Sequence, residues 1–322
     1  MDKVDAVVLA GGYATRLWPI TRNRAKPLLP LAGDVLVDGV MDEVESAPGI
    51  EDVYVSTNER FASDFKAYLD ERGSDASLVV EPTTSEDEKL GTLGALGDLV
   101  ETTGLERDTV VIAGDNLFSF DVTELLEFYS ERRATCVAAY DVGSREDARD
   151  YGLVELDGTE VLGFQEKPEQ PKSTLVATAC YVFPFEVLDI LDVYLSDDNN
   201  PDAPGYFLEW LHSRREIHAF VFDGAWFDVG TPESYLAATD HVLGGEPLVE
   251  DGADVSGDVV GSSYVADGAV VDGSRLKDSV VLGDAVVRDS SLTSTVVDRQ
   301  AVVEDLDVSE GLVGAHSEIR SG

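Results

Sequence analysis

From residue 249 onward the chain counts in sixteens. Val249, Val265, Val281, Val297 and Val313 are spaced 16 apart, as are Val255, Val271, Val287 and Val303, and also Val260, Leu276, Leu292 and Val308. Ala253, Ala269, Ala285 and Ala301 form a fourth column in the same register. The apolar steps run six, five and five residues, so each turn has three apolar corners and one small residue. A period of this kind makes a solenoid in which each coil buries its apolar residues only against its neighbours. A long helix does not fit, because the segment is rich in Val, Gly, Asp and Ser and has no 3.6-residue stripe. The repeat therefore predicts a triangular β-helix over residues 246–322.

Ahead of Gly244-Gly245 the pattern is different. Short β-branched runs at Val4 to Ala10, Val53 to Thr57, Leu78 to Glu81 and Val110 to Ala113 alternate with amphipathic stretches such as Phe61 to Leu69 and Val122 to Tyr129. Further strands are expected at Thr135 to Tyr140, Leu153 to Leu156, Val161 to Gln165 and Ala177 to Phe183. Pro232 is placed as the first residue of a helix reaching Val242, with Thr231 as its cap. This alternation predicts an α/β, Rossmann-like wound and mostly parallel sheet over residues 1–245.

Charge narrows the possible partners. The 322 residues carry 23 Lys and Arg against 64 Asp and Glu, a formal net charge of −41, which excludes a uniformly basic face for nucleic acid or anionic lipid. Because 43% of residues are hydrophobic and 8% aromatic, the acid excess belongs to a folded surface rather than a disordered chain. Only seven of the cations are Lys, and this acidic, Lys-poor composition resembles that of proteins from salt-loving organisms, where concentrated counterions screen self-repulsion. Cys136 and Cys180 are two isolated thiols in apolar runs, the pattern of buried small side chains rather than a disulfide or zinc framework. With no apolar run near the roughly 20 residues of a membrane span and no leader pattern, the expected location is the cytoplasm.

The first strand runs into Leu9-Ala10-Gly11-Gly12-Tyr13-Ala14-Thr15-Arg16-Leu17-Trp18-Pro19-Ile20-Thr21, and Lys26-Pro27 follows. A Gly-rich turn at the carboxyl edge of a wound sheet offers backbone N–H groups to phosphates. Neither the G-x-G-x-x-G dinucleotide fingerprint nor the Walker pattern is present. Two cations, Arg16 and Lys26, follow closely on the turn in a chain that has few.

This run, Gly11-Gly12-x-Ala14-Thr15-Arg16-Leu17-x-Pro19-Ile20-Thr21 with Lys26-Pro27, resembles the signature of the sugar-1-phosphate nucleotidylyltransferases. The resemblance continues in order through Gly91-Thr92-Leu93-Gly94-Ala95-Leu96, Ala113-Gly114-Asp115-Asn116, Tyr151-Gly152-Leu153-Val154, Glu166-Lys167-Pro168 and Phe227-Asp228-Val229-Gly230-Thr231-Pro232. The 16-residue coils are similar to the hexapeptide-type left-handed β-helix that follows many sugar-nucleotide enzymes, although they are shorter than a multiple of six. The resemblance implies an enzyme that joins a nucleoside triphosphate to a sugar 1-phosphate and releases pyrophosphate. It implies that Leu9, Ala10, Gly11, Gly12, Gly91 and Asp115 bind the nucleotide, and that Arg16 contacts the triphosphate and stabilises the departing pyrophosphate. By the same resemblance Lys26 holds phosphate oxygens near the attacked phosphorus, and Gly152, Glu166 and Lys167 bind the sugar phosphate, with Pro168 keeping Lys167 extended. Asp115 and Asp228, two hard carboxylates, are implied as the ligands of Mg2+. No general base is required, since a phosphate monoester is already ionised near neutral pH.

The chain departs from the family pattern at three places. Ala14 stands where a Gly usually precedes the Thr-Arg pair, and Ala179 where a Gly commonly lines the sugar pocket. Thymidylyl and uridylyl enzymes often carry a Gln ahead of the Gly91 turn, and here either Glu81 or Glu86 can occupy that place. Family prevalence favours dTTP or UTP with glucose 1-phosphate. The β-helix is expected to assemble a homo-oligomer. Two alternatives stand beside this reading: a bifunctional enzyme whose β-helix transfers an acyl group through His316, and a regulator that binds an NDP-sugar without turnover. Trp18, Trp210 and Trp226 are expected to pack at a pocket rim rather than to stack on the base.

Overall fold

The computed structural model describes residues 3–197 and 199–322. By compactness the chain divides into two interleaved units rather than two consecutive ones. The first comprises the residues up to Gly12 and Val37–Trp226; the second comprises Tyr13–Leu36 and Phe227–Gly322.

The first unit is built on a nine-stranded sheet. Its strands are β1 (Val4–Leu9), β2 (Ile50–Asn58), β3 (Ser77–Glu81), β4 (Thr109–Ala113), β5 (Thr135–Asp141), β6 (Gly152–Asp157), β7 (Glu160–Glu166), β8 (Leu175–Phe183) and β9 (Ile217–Val221). The spatial order is β3-β2-β1-β4-β8-β5-β9-β7-β6. The segment VDAVVL of β1 is buried along almost its whole length, as a strand with parallel neighbours on both sides requires. Leu9 is in register with Ser56 on one side and Ala113 on the other, so β1, β2 and β4 end together at the carboxyl edge. The helix Thr92–Thr103 carries Leu93, Leu96 and Leu99 on one face, and these join Val7, Val111, Phe207 and Leu211 in the main core.

The parallel arrangement holds for β3-β2-β1-β4 and for the β5–β9 pair, and the sheet as a whole is mixed. Strand β8 runs antiparallel between β4 and β5, and β7 is antiparallel to both β6 and β9. For the β6–β7 pair the cause is local: the two strands are joined by a tight turn with Gly158 at φ 60°, so they form a hairpin, and no helix crosses back between them.

In the second unit the helix Pro232–Leu243 begins as expected. Thr231 accepts a hydrogen bond from the Ser234 N–H, and the Ser234 hydroxyl accepts one from the Thr231 N–H, a reciprocal cap. The repeat then forms a β-helix of parallel strands. One face stacks Leu248–Val249, Tyr264–Val265, Val280–Val281, Val296–Val297 and Leu312–Val313. The other two are joined through Val270–Lys277, which runs across a corner and pairs with separate strands on each side. Val265, Val281, Val297, Val271, Val287, Val303, Leu276 and Leu292, with Ala269, Ala285 and Ala301, fill the interior.

The third column slips in its first coil. Val259, not Val260, is in register with Leu276 and packs on the interior. The register shifts between Ser256 and Asp258, where Gly257 turns so close to the Ser274 carbonyl that a side chain would clash. Corners recur in left-handed conformation at Asp284, Asp289 and Ser294, and again at Gln300, Asp305 and Glu310, a geometry that Asp tolerates better than most residues. A polar ladder runs beside the apolar columns: the Ser279 N–H donates to the Ser263 hydroxyl, Thr295 to Ser279, and Gly311 to Thr295, at 3.2, 3.1 and 3.3 Å. This ladder satisfies buried backbone donors at the 16-residue period.

Candidate active site

At the carboxyl edge of the first unit, β1 hands over to the Gly-rich turn. The Ala10 N–H donates to the Ser56 carbonyl at 2.8 Å, and the Gly114 N–H donates to the Leu9 carbonyl at 2.9 Å, which ties the turn to both neighbouring strands. The Asn58 amide donates to the Gly11 carbonyl at 2.7 Å. Any side chain on Gly11 would collide with the Glu81 carboxyl, whereas one on Gly12 would meet nothing within 4 Å. Gly11 is thus fixed by packing, and Gly12 leaves open space beside the turn. Asp115 follows the end of β4 with Gly114 between them, and accepts a hydrogen bond from the Asn116 amide at 3.0 Å.

Gly91 adopts φ 80° at the start of the helix Thr92–Thr103. A Cβ there would lie 2.6 Å from the Pro201 carbonyl oxygen, and the Leu93 N–H donates to that same oxygen at 2.8 Å. The glycine therefore has a packing reason as well as the nucleotide role that the resemblance implies.

Glu81 ends β3 and is 4% exposed. Burial, reinforced by the charge of Asp98, raises its pKa from 4.5 to about 7. Among the described residues its carboxyl has no hydrogen-bond partner. Of the two glutamates considered for the base position, Glu81 is thus the one packed against the Gly11 turn, while Glu86 lies on a short exposed turn paired with Lys89.

Gly152 and Glu166 face one another across the β6–β7 hairpin. A Cβ on Gly152 would lie 2.8 Å from the Glu166 carboxylate, and Gly205, at the head of the helix Pro204–His212, admits no side chain for the same reason. Burial raises the Glu166 pKa; Lys167 opposes that shift and Glu209 adds to it. Lys167 is not extended, as Pro168 led us to expect: its φ is 44°. Its N–H donates to the Tyr151 carbonyl at 3.1 Å, so the chain is pulled back at the end of β7, and that bond outweighs the extended preference of a residue before proline.

The second unit holds Arg16, Lys26 and Asp228. Lys26 is 7% exposed, and its ammonium lies 3.7 Å from the Asp228 carboxylate. The Arg16 guanidinium passes over Gly230, where a Cβ would come within 3.1 Å of it. Ala14 takes a left-handed conformation, φ 47° and ψ 47°, and Ala179 has φ 54°. Both alanines thus occupy backbone conformations that cost L-residues roughly 1 kcal/mol, which is the physical reason for glycine at such positions. The Thr21 hydroxyl steadies the Ala14 turn by donating to the Ala14 carbonyl at 2.8 Å.

Asn58 and Gly205 are site residues that the sequence patterns did not single out. A polar residue closing a strand whose last four residues are buried was the available signal for Asn58. Trp226 donates to Asn116 at 2.7 Å and packs on Tyr140 and Tyr151, and Trp210 packs on Phe207 and Tyr194, so both act as packing residues; Trp18 is 47% exposed. His316 has φ 59° and occupies the corner position held one and two coils earlier by Gln300 and Asp284. Cys136 and Cys180 are buried free thiols. Among the described residues no helix is long and apolar enough to cross a membrane.

Residues 5–244 match the nucleotidyl transferase family. The chain belongs to that family. It is 34% identical over 269 residues to a mannose-1-phosphate guanylyltransferase of Mycobacterium tuberculosis, covering 79% of this chain and 72% of that one. It is 30% identical over 241 residues to a Sulfolobus acidocaldarius protein provisionally named a mannose-1-phosphate guanyltransferase, covering 74% of this chain and 63% of that one. The fold is shared with a UDP-glucose pyrophosphorylase from Acinetobacter baumanii, at a TM-score of 0.62 and 21% identity over 76% of this chain and 94% of that one.

Proposed function

We propose that the protein is a Mg2+-dependent sugar-1-phosphate nucleotidylyltransferase. The observation that carries this reading is the buried ammonium of Lys26 beside the Asp228 carboxylate, in a family member that keeps Arg16 and the Gly11-Gly12 turn. In the reaction an oxygen of the sugar phosphate bonds to the α-phosphorus of the triphosphate, the bond from that phosphorus to the bridging β-oxygen breaks, and pyrophosphate leaves. The difficulty is to hold two polyanions in line and to neutralise charge moving onto the leaving group. Arg16 takes the leaving group, Lys26 the phosphate under attack and Lys167 the incoming phosphate. Glu166 accepts hydrogen bonds from sugar hydroxyls.

Among the described residues no cluster of three or more metal-ligating side chains exists, which argues against an all-protein cage. Two carboxylates, from Asp115 and Asp228, fit Mg2+, which usually takes one or two protein carboxylates and fills its remaining positions with phosphates and water. When bound, the ion would neutralise phosphate charge.

For the base, Glu81 favours guanine. Once ionised, above about pH 7, its carboxylate accepts two hydrogen bonds in parallel, and guanine presents adjacent N1–H and N2–H donors, whereas uracil and thymine present a single N–H between two carbonyls. The names of the two guanylyl-transferring relatives agree with this choice and suggest mannose 1-phosphate. The pyrimidine nucleotides and glucose 1-phosphate are the second reading. Pyrophosphate release in molar KCl with Mg2+, crossing GTP, dTTP, UTP, CTP and ATP against hexose 1-phosphates, tests both. Release with GTP alone upholds the guanine reading, release with dTTP or UTP replaces it, and silence across the panel in a folded protein sinks the enzyme reading. Self-association through the β-helix is part of the proposal, to be checked by sedimentation.

A further inference from the structure

The β-helix face that stacks Val265, Val281, Val297 and Val313 turns those side chains inward, so the residue after each points outward. That outward column reads Ala266, Leu282, Asp298 and Gly314, and the first three are only 8, 1 and 3% exposed. The face is covered by the rest of the same unit. Pro19 lies so close to Gly314 that a Cβ there would come within 2.6 Å of it. The Tyr235 hydroxyl, fully buried, donates to the Pro30 carbonyl, and the Ser262 hydroxyl binds Asp240. In the middle of this cover the Arg24 guanidinium meets Asp298 at 3.4 Å.

With Glu250 in the first coil, Asp298 is one of two charged members of its outward column, and Arg24 precedes Lys26 by two residues. Their side chains are 4 and 15% exposed. A buried ion pair adds little net stability over a well-packed apolar pair, but loss of one partner leaves a stranded charge, and such pairs can serve to specify a single arrangement. Here the arrangement being specified is that of the segment carrying Arg16 and Lys26.

We infer that the β-helix is the template on which the phosphate-handling segment Tyr13–Leu36 is set, and that Asp298, acting through Arg24, is a positioning residue for Lys26 and Arg16. This rests on reading those cations as the transfer machinery.

The test uses the full chain and the variants Asp298→Asn, Asp298→Leu and the double variant Arg24→Leu/Asp298→Leu, read by steady-state kinetics, thermal unfolding and hydrogen exchange. In the single variants kcat should fall about 10- to 100-fold, the loss expected of a misplacement near 1 Å, with KM for the sugar phosphate unchanged. Exchange should quicken in peptides within residues 13–36 and stay unchanged in β1 to β9. The double variant, which strands no charge, should recover much of the kcat. Unchanged kcat in the single variants overturns the inference, whether or not the melting temperature falls, because a merely structural pair would move stability alone. A fall in kcat with exchange unchanged also overturns it. If the unaltered protein releases no pyrophosphate with any substrate pair, the reading of the site fails instead; quickened exchange confined to 13–36 then upholds the template role, and unchanged exchange overturns it. Asp298→Asn keeps the shape of the side chain and serves if Asp298→Leu does not fold.

Discussion

Lys26 and Asp228 lie 3.7 Å apart although about 200 residues separate them in the chain, and the lysine is the more buried of the two, with 8% of its side chain exposed against 33% for the aspartate. Replacing Lys26 by Met keeps the aliphatic stem and removes the charge. Turnover should drop about 10²- to 10³-fold, the range for losing one preorganised charge contact to a transition state. Stability should change by less than about 1 kcal/mol, since Asp228 keeps water contact. Steady-state kinetics alongside urea unfolding separates the two effects; a variant that unfolds instead of losing turnover would show that the pair is structural.

Gly230 gives a gentler probe of Arg16. A methyl group at this position would sit 3.1 Å from the guanidinium, so Gly230→Ala should displace Arg16 by a few tenths of an ångström. We expect kcat to fall about tenfold, an effect consistent with small misplacements of catalytic groups, while KM for the sugar phosphate holds. Equal changes in both parameters would place Arg16 outside the leaving-group role.

Glu81, proposed above to meet the base, ties that reading to pH. Its pKa is about 7 in the folded protein against 4.5 ordinarily, so the folded state holds a proton that the unfolded state has released. This group therefore lowers stability as pH rises from about 4.5 to 7, and its full penalty persists above 7. Glu81→Gln should raise stability at pH 8 on the order of 3 kcal/mol relative to its effect at pH 4, a size that follows from 1.36 kcal/mol per pKa unit. It should also weaken preference for GTP relative to UTP and dTTP. Parallel urea titrations at the two pH values, with a nucleotide panel, check both; identical pH profiles would contradict the buried, unpartnered carboxyl.

A net charge of −41 predicts that salt stabilises the fold. Raising KCl from about 0.1 M to 1 M shortens the screening length from about 10 to 3 Å, so the melting temperature should climb across this range. A flat response would mean that the acidic surface is not under self-repulsion.

Much of this was legible in local pattern. The strands of the sheet, the Thr231 cap and the 16-residue coils follow from β-branched runs, turn residues and a fixed period, and the structure moves their boundaries by one to a few residues. Strand direction was less legible, because β8 is set antiparallel by the neighbours it meets and not by its own sequence. The same holds for left-handed Ala14 and Lys167, which are held by hydrogen bonds to Thr21 and Tyr151. The slip at Val259 hides inside an intact-looking repeat, since Val259 and Val260 are interchangeable by composition. Of the site, the glycines and cations were visible as motifs; Asn58 and Gly205 were not, because each is defined by one distant contact.

The pairing of Arg24 with Asp298 joins residues 274 positions apart. During synthesis, the segment carrying Arg16 and Lys26 is made 274 residues ahead of the partner that Arg24 meets, and must wait for it before its seat exists. Contacts of such separation form late, so a truncated translation product lacking the coils would leave residues 13–36 as an unseated loop, open to proteases even where the nine-stranded sheet had formed.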